Sequence, residues 1–279
     1  MNSNTKRKDP RAGKPLSEVR KLELQAQRKA KLGDQTPNQY AKERDYKLLR
    51  WVWKWGYSSK IILQTLSESS RHGIVNRLVK NGLLTETKTE SGAPITSFFT
   101  LTEKGLAEVE RQAERLHFYP YLDPYKVRQN TLRHDLMAQS YTVKNGIAGQ
   151  IKKYDTPLTM REMSARNVKE PDCAWEMTDD EVVAIEIELT KKWDRDFDDF
   201  RLKVVNALNS NSRYTKFYLV TDSKAIAKAY KEGMKPGTRV PLWEKNVHGK
   251  WNTYDYFEIP NEIGYGPTSI FQTYLVESK

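Results

Sequence analysis

Cysteine is all but missing. Cys173 stands alone in 279 residues, which excludes a disulfide framework and any cysteine-clustered zinc site. Histidine is scarce, and His72, His117, His134 and His248 lie far apart, so no His-x-His metal motif exists. No apolar run approaches the roughly 20 residues of a membrane span, and the mean hydropathy is −0.78. No membrane insertion is expected. The first forty residues lack the apolar stretch of a secretory signal, and a reducing, cytoplasmic setting fits best. Acid is in deficit: 47 Lys and Arg against 36 Asp and Glu leave +11. A polyanion is the expected partner. Seven Trp and fifteen Tyr are too many for a wholly disordered chain.

The basic excess is uneven. Residues 1–40 carry ten Lys/Arg against four Asp/Glu, residues 41–117 thirteen against nine, and residues 118–279 twenty-four against twenty-three. We therefore read 1–40 as a basic tail, with a short charged helix over 16–32. Residues 41–117 form a first domain and 118–279 a second. The tail can meet phosphates without a fold, releasing counterions. The second domain cannot be read as DNA-binding from net charge.

In 41–117, Tyr46, Leu49, Val52 and Trp53 recur at helical spacing and predict a helix to about Trp55. Gly56 ends it and Ser58 or Ser59 caps the next, with Ile61, Ile62 and Leu66 on its apolar face. A third helix opens at Ser69–Gly73 and stops at Asn81-Gly82. Strands over 83–89 and 96–101 flank a Gly-Pro turn, and a fourth helix runs from Thr102 to about Leu116. This is the order of a winged helix-turn-helix, and Arg77 to Leu84 with Phe99 to Gly105 is similar to winged-helix regulators. The third helix would face the major groove. Arg71, Asn76 and Arg77 could reach bases or phosphates, and Lys88 could touch phosphate from the wing. A module for dimerisation or partner docking has the same order, but the local positive charge favours DNA. His117 to Tyr125, with two prolines, reads as a linker.

The second domain predicts a helix over 125–145, strands over 151–156, 171–176 and 182–190, a helix from Asp194, a strand over 216–221 and a further helix. The fold class is α+β, with α/β alternation in this half. Glu186, Glu188 and Thr190 share one face of the apolar 182–190 strand. Two in-phase carboxylates on a covered strand are costly without a countercharge. Hard oxygen donors of this kind suit Mg²⁺ or Mn²⁺. Asp172, after Pro171, can approach the same face, and Lys191 and Lys192 follow it. The bland reading is a salt-bridged sheet surface. Three acids matching in order and phase favour a metal site.

Helix, three strands, helix, strand, with Pro171-Asp172 and Glu186-Ile187-Glu188, resembles the PD-(D/E)xK nuclease core. The resemblance implies Asp172 and Glu186 as metal ligands, with Glu188 at the usual lysine position and Lys191 or Lys192 as the missing cation. If Glu188 is instead the counterpart of the first acid, Thr190 takes the lysine position. From about 40 to 225 the chain further resembles the replication-relaxation family and its MobC-type plasmid mobilisation relaxases, with Leu132-Arg133-His134-Asp135-Leu136 on the first helix. That implies a bacterial, cytoplasmic enzyme with a winged-helix DNA-binding domain (41–117) and a nuclease-like domain (118–279). It would nick one strand of double-stranded plasmid DNA at an origin of transfer, alongside an accessory mobilisation protein and a coupling protein. Asp172, Glu186 and Glu188 would hold Mg²⁺ or Mn²⁺, and His134 would touch metal, substrate or catalytic water. Fifteen tyrosines leave a tyrosine nucleophile open. The competing reading is a DNA-binding regulator or replication initiator whose nuclease-like domain is inactive and dimerises.

Overall fold

The computed structural model describes residues 17–69, 73–113, 116, 119–160, 169–209, 213–266 and 268–276. The described residues up to Asp45 form one compact unit and those from Tyr46 onward another. In the first unit, helix α1 (Glu18–Leu32) buries no residue. Ser17 caps it by accepting from Arg20 N at 3.3 Å, and the i,i+3 pairs Lys21–Glu18 and Arg20–Glu23 support it. Helix α2 (Pro37–Trp55) starts well before the apolar periodicity that announced it. Periodicity marks the part that is buried: Leu48, Leu49, Trp51, Val52, Trp53 and Trp55 all lie in the core.

Past α2 come α3 (Lys60–Leu66), α4 (Ile74–Lys80), strands β1 (Leu84–Lys88) and β2 (Ser97–Leu101), and α5 (Glu103–Glu110). Ser59 caps α3 through Ile62 N, and Thr102 caps α5 through Gly105 N at 3.0 Å. β1 and β2 pair antiparallel, Leu84 opposite Leu101. Helix α5 ends sooner than the expected Leu116. The opening of the third helix at Ser70–His72, with Arg71, lies outside the described residues.

Residues 119–125 of the segment read as a linker are described. Tyr119 is buried, its hydroxyl donating to Gly56 O at 2.6 Å and accepting from Leu101 N at 3.2 Å. Helix α6 (Leu132–Ile147) begins later than the expected Tyr125. Short 3-10 turns at 124–126 and 129–131 precede it, because Val127 adopts an extended backbone.

Next come β3 (Ile151–Asp155), the short α7 (Pro157–Met160), β4 (Cys173–Met177), β5 (Val182–Ile187), α8 (Asp194–Leu208), β6 (Lys216–Thr221) and α9 (Lys224–Gly233). A two-stranded ribbon, β7 (Arg239–Lys245) with β8 (Trp251–Glu258), precedes β9 (Phe271–Leu275). The five-stranded sheet has the order β3-β4-β5-β6-β9. β3, β4 and β5 pair antiparallel, while β5, β6 and β9 pair parallel. The architecture is mixed α+β.

Both faces of β5 are covered. Val183, Ile185 and Ile187 pack in the same core as Trp175 and the α6 residues Leu136 and Val143. Ala184 packs with Phe200 and Val204 of α8 and Tyr230 of α9. The strand stops at Ile187, short of the expected Thr190. Glu188 N still bonds Val220 O at 2.9 Å, after which the chain turns towards α8.

One core also runs from α2–α5 into the sheet domain. Gln139 of α6 is its polar knot. Its Oε1 accepts from Trp51 Nε1 at 3.0 Å and Ser58 Oγ at 2.7 Å, and its Nε2 donates to Tyr57 O at 2.9 Å. Every polar group of this fully buried amide therefore has a partner.

Candidate active site

Register brings the first two acids together. Cys173 stands opposite Ile185 in the β4–β5 pair, so Asp172, one residue earlier, meets Glu186 across the ladder. Asp172 N donates to Ile185 O at 2.9 Å, and its Oδ2 accepts from Ile187 N at 2.7 Å. Its carboxylate is thereby held at the C-terminal end of β5.

Glu186 is only 4% exposed. Burial, then the negative charge of Asp172, raises its pKa. Lys169 Nζ lies 2.7 Å from Glu186 Oε2. The two groups thus form a close charge-assisted pair. Burial acts to lower the Lys169 pKa, but Glu186 and Asp172 outweigh it and raise the value.

Glu188, also buried, lies just past the strand. Its Oε2 accepts from Tyr230 Oη at 2.8 Å and pairs with Lys192 Nζ. Lys192 Nζ is also 4.0 Å from Glu186 Oε1, and Lys192 N donates to Tyr230 Oη at 3.3 Å. Lys192 thus bridges the two glutamates. Tyr230 is pushed well above the usual tyrosine range by burial and by Glu188.

His134 enters from α6. Its Nε2 lies 3.1 Å from Asp172 Oδ2 and its Nδ1 2.9 Å from Asp135 Oδ1. Asp135 Oδ2 in turn accepts from Tyr57 Oη at 2.5 Å and Thr131 Oγ1 at 2.9 Å. Burial alone would lower the His134 pKa; the hydrogen bonds and charges of Asp135 and Asp172 raise it to about 10. An imidazolium between two carboxylates results. Beside it, Arg133 pairs with Asp222 at the end of β6.

Of the other residues singled out, Lys191 lies 3.9 Å over the Trp193 ring and makes no ion pair with a described acid. Thr190 is exposed and outside the strand. Asn76 and Arg77 are exposed on α4 and Lys88 on β1; Arg71 lies outside the described residues. Lys169, Tyr230 and Tyr57 were not legible in the sequence as members of the group. Lys169 had a weak signal, three residues before Asp172. Tyr57 and Tyr230 had none, since only packing brings them in.

Among the described residues, no group of three or more His, Cys, Asp or Glu side chains is placed to hold a metal ion. Mg²⁺ commonly uses one or two carboxylates, the rest of its shell being water and substrate phosphate. Asp172 and Glu186 lie opposite one another just past the β4–β5 ladder, with Lys169 Nζ 2.7 Å from Glu186 Oε2 and His134 Nε2 3.1 Å from Asp172 Oδ2. Carboxylate oxygens are hard donors of the kind that suits Mg²⁺ or Mn²⁺.

No described helix is long and apolar enough to cross a membrane. The chain matches no family model, no curated protein and no solved structure.

Proposed function

We propose that this chain is a metal-dependent DNA nickase of the plasmid relaxase type. Residues from Tyr46 to α5 act as a winged-helix reader of duplex DNA, and α6 to β6 act as a PD-(D/E)xK nuclease-like core. The observation that carries this reading is the meeting of Asp172 and Glu186 across β4 and β5, with Lys169, Lys192 and His134 around them.

Asp172 and Glu186 would hold the Mg²⁺ or Mn²⁺, which supplies acidity to water and charge neutralisation at the phosphate. The remaining work falls to the chain's own groups. His134, held by Asp135, fixes the Asp172 carboxylate by a charge-assisted hydrogen bond. Lys192 and Lys169 place ammonium charges beside the carboxylates, where a scissile phosphate would meet them. Tyr230 orients Glu188, which in turn holds Lys192. α4 and the β1–β2 wing present Asn76, Arg77 and Lys88 to the duplex.

The test is supercoiled plasmid carrying the cognate origin of transfer, with and without Mn²⁺. Open-circular product that requires the cation and is lost in Asp172→Asn supports the proposal. Duplex binding without nicking under any divalent cation sinks it. Linear product would point to a double-strand nuclease. One observation favours a second reading, a DNA-binding regulator with an inactive core: Lys169, Lys192, Tyr230 and His134 already occupy the carboxylates, so the network is electrically closed without a metal.

A further inference from the structure

A cavity of about 330 Å³ opens between α2, the end of α6 and β3. Its volume lies at the lower end of the range of about 300–1,000 Å³ typical of small-molecule pockets. None of its lining residues belongs to the group around Asp172 and Glu186. Its charge is one-sided. Lys47, Arg50, Lys54, Lys152 and Lys153 line it, and no acid does. Lys47, Arg50 and Lys54 stand at i, i+3 and i+7 of α2, the spacing of a single helix face.

Two of the five cations are spent elsewhere. Lys47 pairs with Glu68, and Lys152 with Glu176 and Asp180. Arg50 and Lys153 are exposed, and neither forms an ion pair with a described acid. Lys54 forms none either, although it is only 8% exposed. Its Nζ lies 4.2 Å over the Tyr154 ring and donates to Tyr154 O. Burial first, then Arg50, lowers its pKa to about 8. Lys153 acts in the same direction, while Asp155, itself paired with Arg213, opposes them. Buried charges are ordinarily paired. Here the nearest cations repel one another, and an anion in the cavity would relieve all three at once.

The rest of the wall is apolar. Leu66, Val143, Ile147 and Ile151 line it beside Trp51. The Trp51 ring is fixed, donating to Gln139 and lying 5.2 Å from the Tyr154 ring. Ile147 is 43% exposed, so it offers apolar surface that a ligand can cover. A DNA backbone brings charge but no apolar body for such a wall. Three cations also match a phosphate monoester, with a charge of about −1.5 to −2, better than a single carboxylate.

We infer that this cavity binds a small organic phosphate monoester, its phosphate on Arg50, Lys153 and Lys54 and its apolar body against Ile147 and Ile151. Guanidinium and ammonium groups together suit that dianion. The site lies apart from the proposed nickase centre and does not rest on that reading.

The test is isothermal titration calorimetry of phenyl phosphate into the full chain, in EDTA and low salt. Inorganic phosphate, which lacks the apolar body, and benzoate, which carries less charge, serve as comparison. Phenyl phosphate should bind at least about tenfold tighter than either. Arg50→Ala with Lys153→Ala, both at exposed positions, should weaken it at least about tenfold and flatten its salt dependence. Ile147→Ser, also at an exposed position, should cut the preference over inorganic phosphate about threefold. Phenyl phosphate no tighter than inorganic phosphate overturns the inference. So does wild-type affinity in the Arg50 and Lys153 double variant; if that variant loses duplex affinity in a gel shift instead, the cations serve the DNA backbone.

Discussion

His134 Nε2 lies 3.1 Å from Asp172 Oδ2, joining helix α6 to the start of β4. The same carboxylate oxygen accepts from Ile187 N of β5. Asp172 is therefore oriented by groups from two other elements, and its position depends on the packing of α6 against the sheet.

Loss of His134 should act through Asp172. His134→Ala is expected to reduce nicking about 10–100-fold, the usual cost of removing a group that orients a metal ligand. His134→Gln, which can still donate, should recover part of it. Gel-shift affinity for duplex DNA should stay unchanged in both. Equal loss in the two variants would mean that the imidazole does more than position.

The acids should separate by role. Asp172→Asn and Glu186→Gln should each lower nicking by at least about 100-fold. Glu188→Gln should cost less, about tenfold, because Glu188 acts through Lys192. Quantifying open-circular product at saturating Mn²⁺ checks the ranking. A Glu188 variant as inactive as the Asp172 variant contradicts it.

Lys54 is a stability reporter. It is buried, donating to Tyr154 O at 2.6 Å. Burial first, then Arg50, lowers its pKa from an ordinary 10.5 to about 8. Below about pH 8 the lysine is charged in both states and the burial penalty is fully present. Between about 8 and 10.5 the unfolded chain binds more protons than the folded one, so stability rises with pH. Urea unfolding of wild type from pH 7.5 to 9.5 should show this rise relative to Lys54→Met. Parallel curves would place the titration elsewhere.

Gln139→Leu should be costly. It strands the Trp51 indole N–H and the Tyr57 carbonyl inside the core. Each unsatisfied buried group costs about 1–3 kcal/mol, so a loss of at least about 2 kcal/mol is expected by urea titration. Because one core spans α2 to β6, α2–α5 and the sheet domain should melt together. Two resolved transitions from 46–279 would oppose a shared core.

If α4 and the β1–β2 hairpin read duplex DNA as proposed, Asn76→Ala or Arg77→Ala should reduce discrimination between cognate and random duplex. Lys88→Ala should weaken both equally and lower the salt slope by about 1. Fluorescence anisotropy across a salt series distinguishes these outcomes.

Much of this was legible along the chain. The helices and strands came from apolar spacing, Gly56 and Asn81-Gly82 punctuated them, and alternation put Glu186 on the face opposite Val183, Ile185 and Ile187. Boundaries were misread where a polar segment was helical without being buried, as in the first turns of α2. They were also misread where strand-like residues ran past the ladder, as at Leu189 and Thr190.

What the sequence by itself determined was local: which residues can be helical or extended, which face each strand buries, and that acids with nearby lysines lie along the second half. Those follow from backbone geometry and from the free energy of hiding apolar surface, both short-range in the chain. Only the tertiary structure decided that Asp172 meets Glu186, that Lys169 and Tyr230 join the group, and that the Tyr121 ring closes on Gly56. Such meetings depend on strand register and on how α6 and α9 pack, and no periodicity within one segment encodes them.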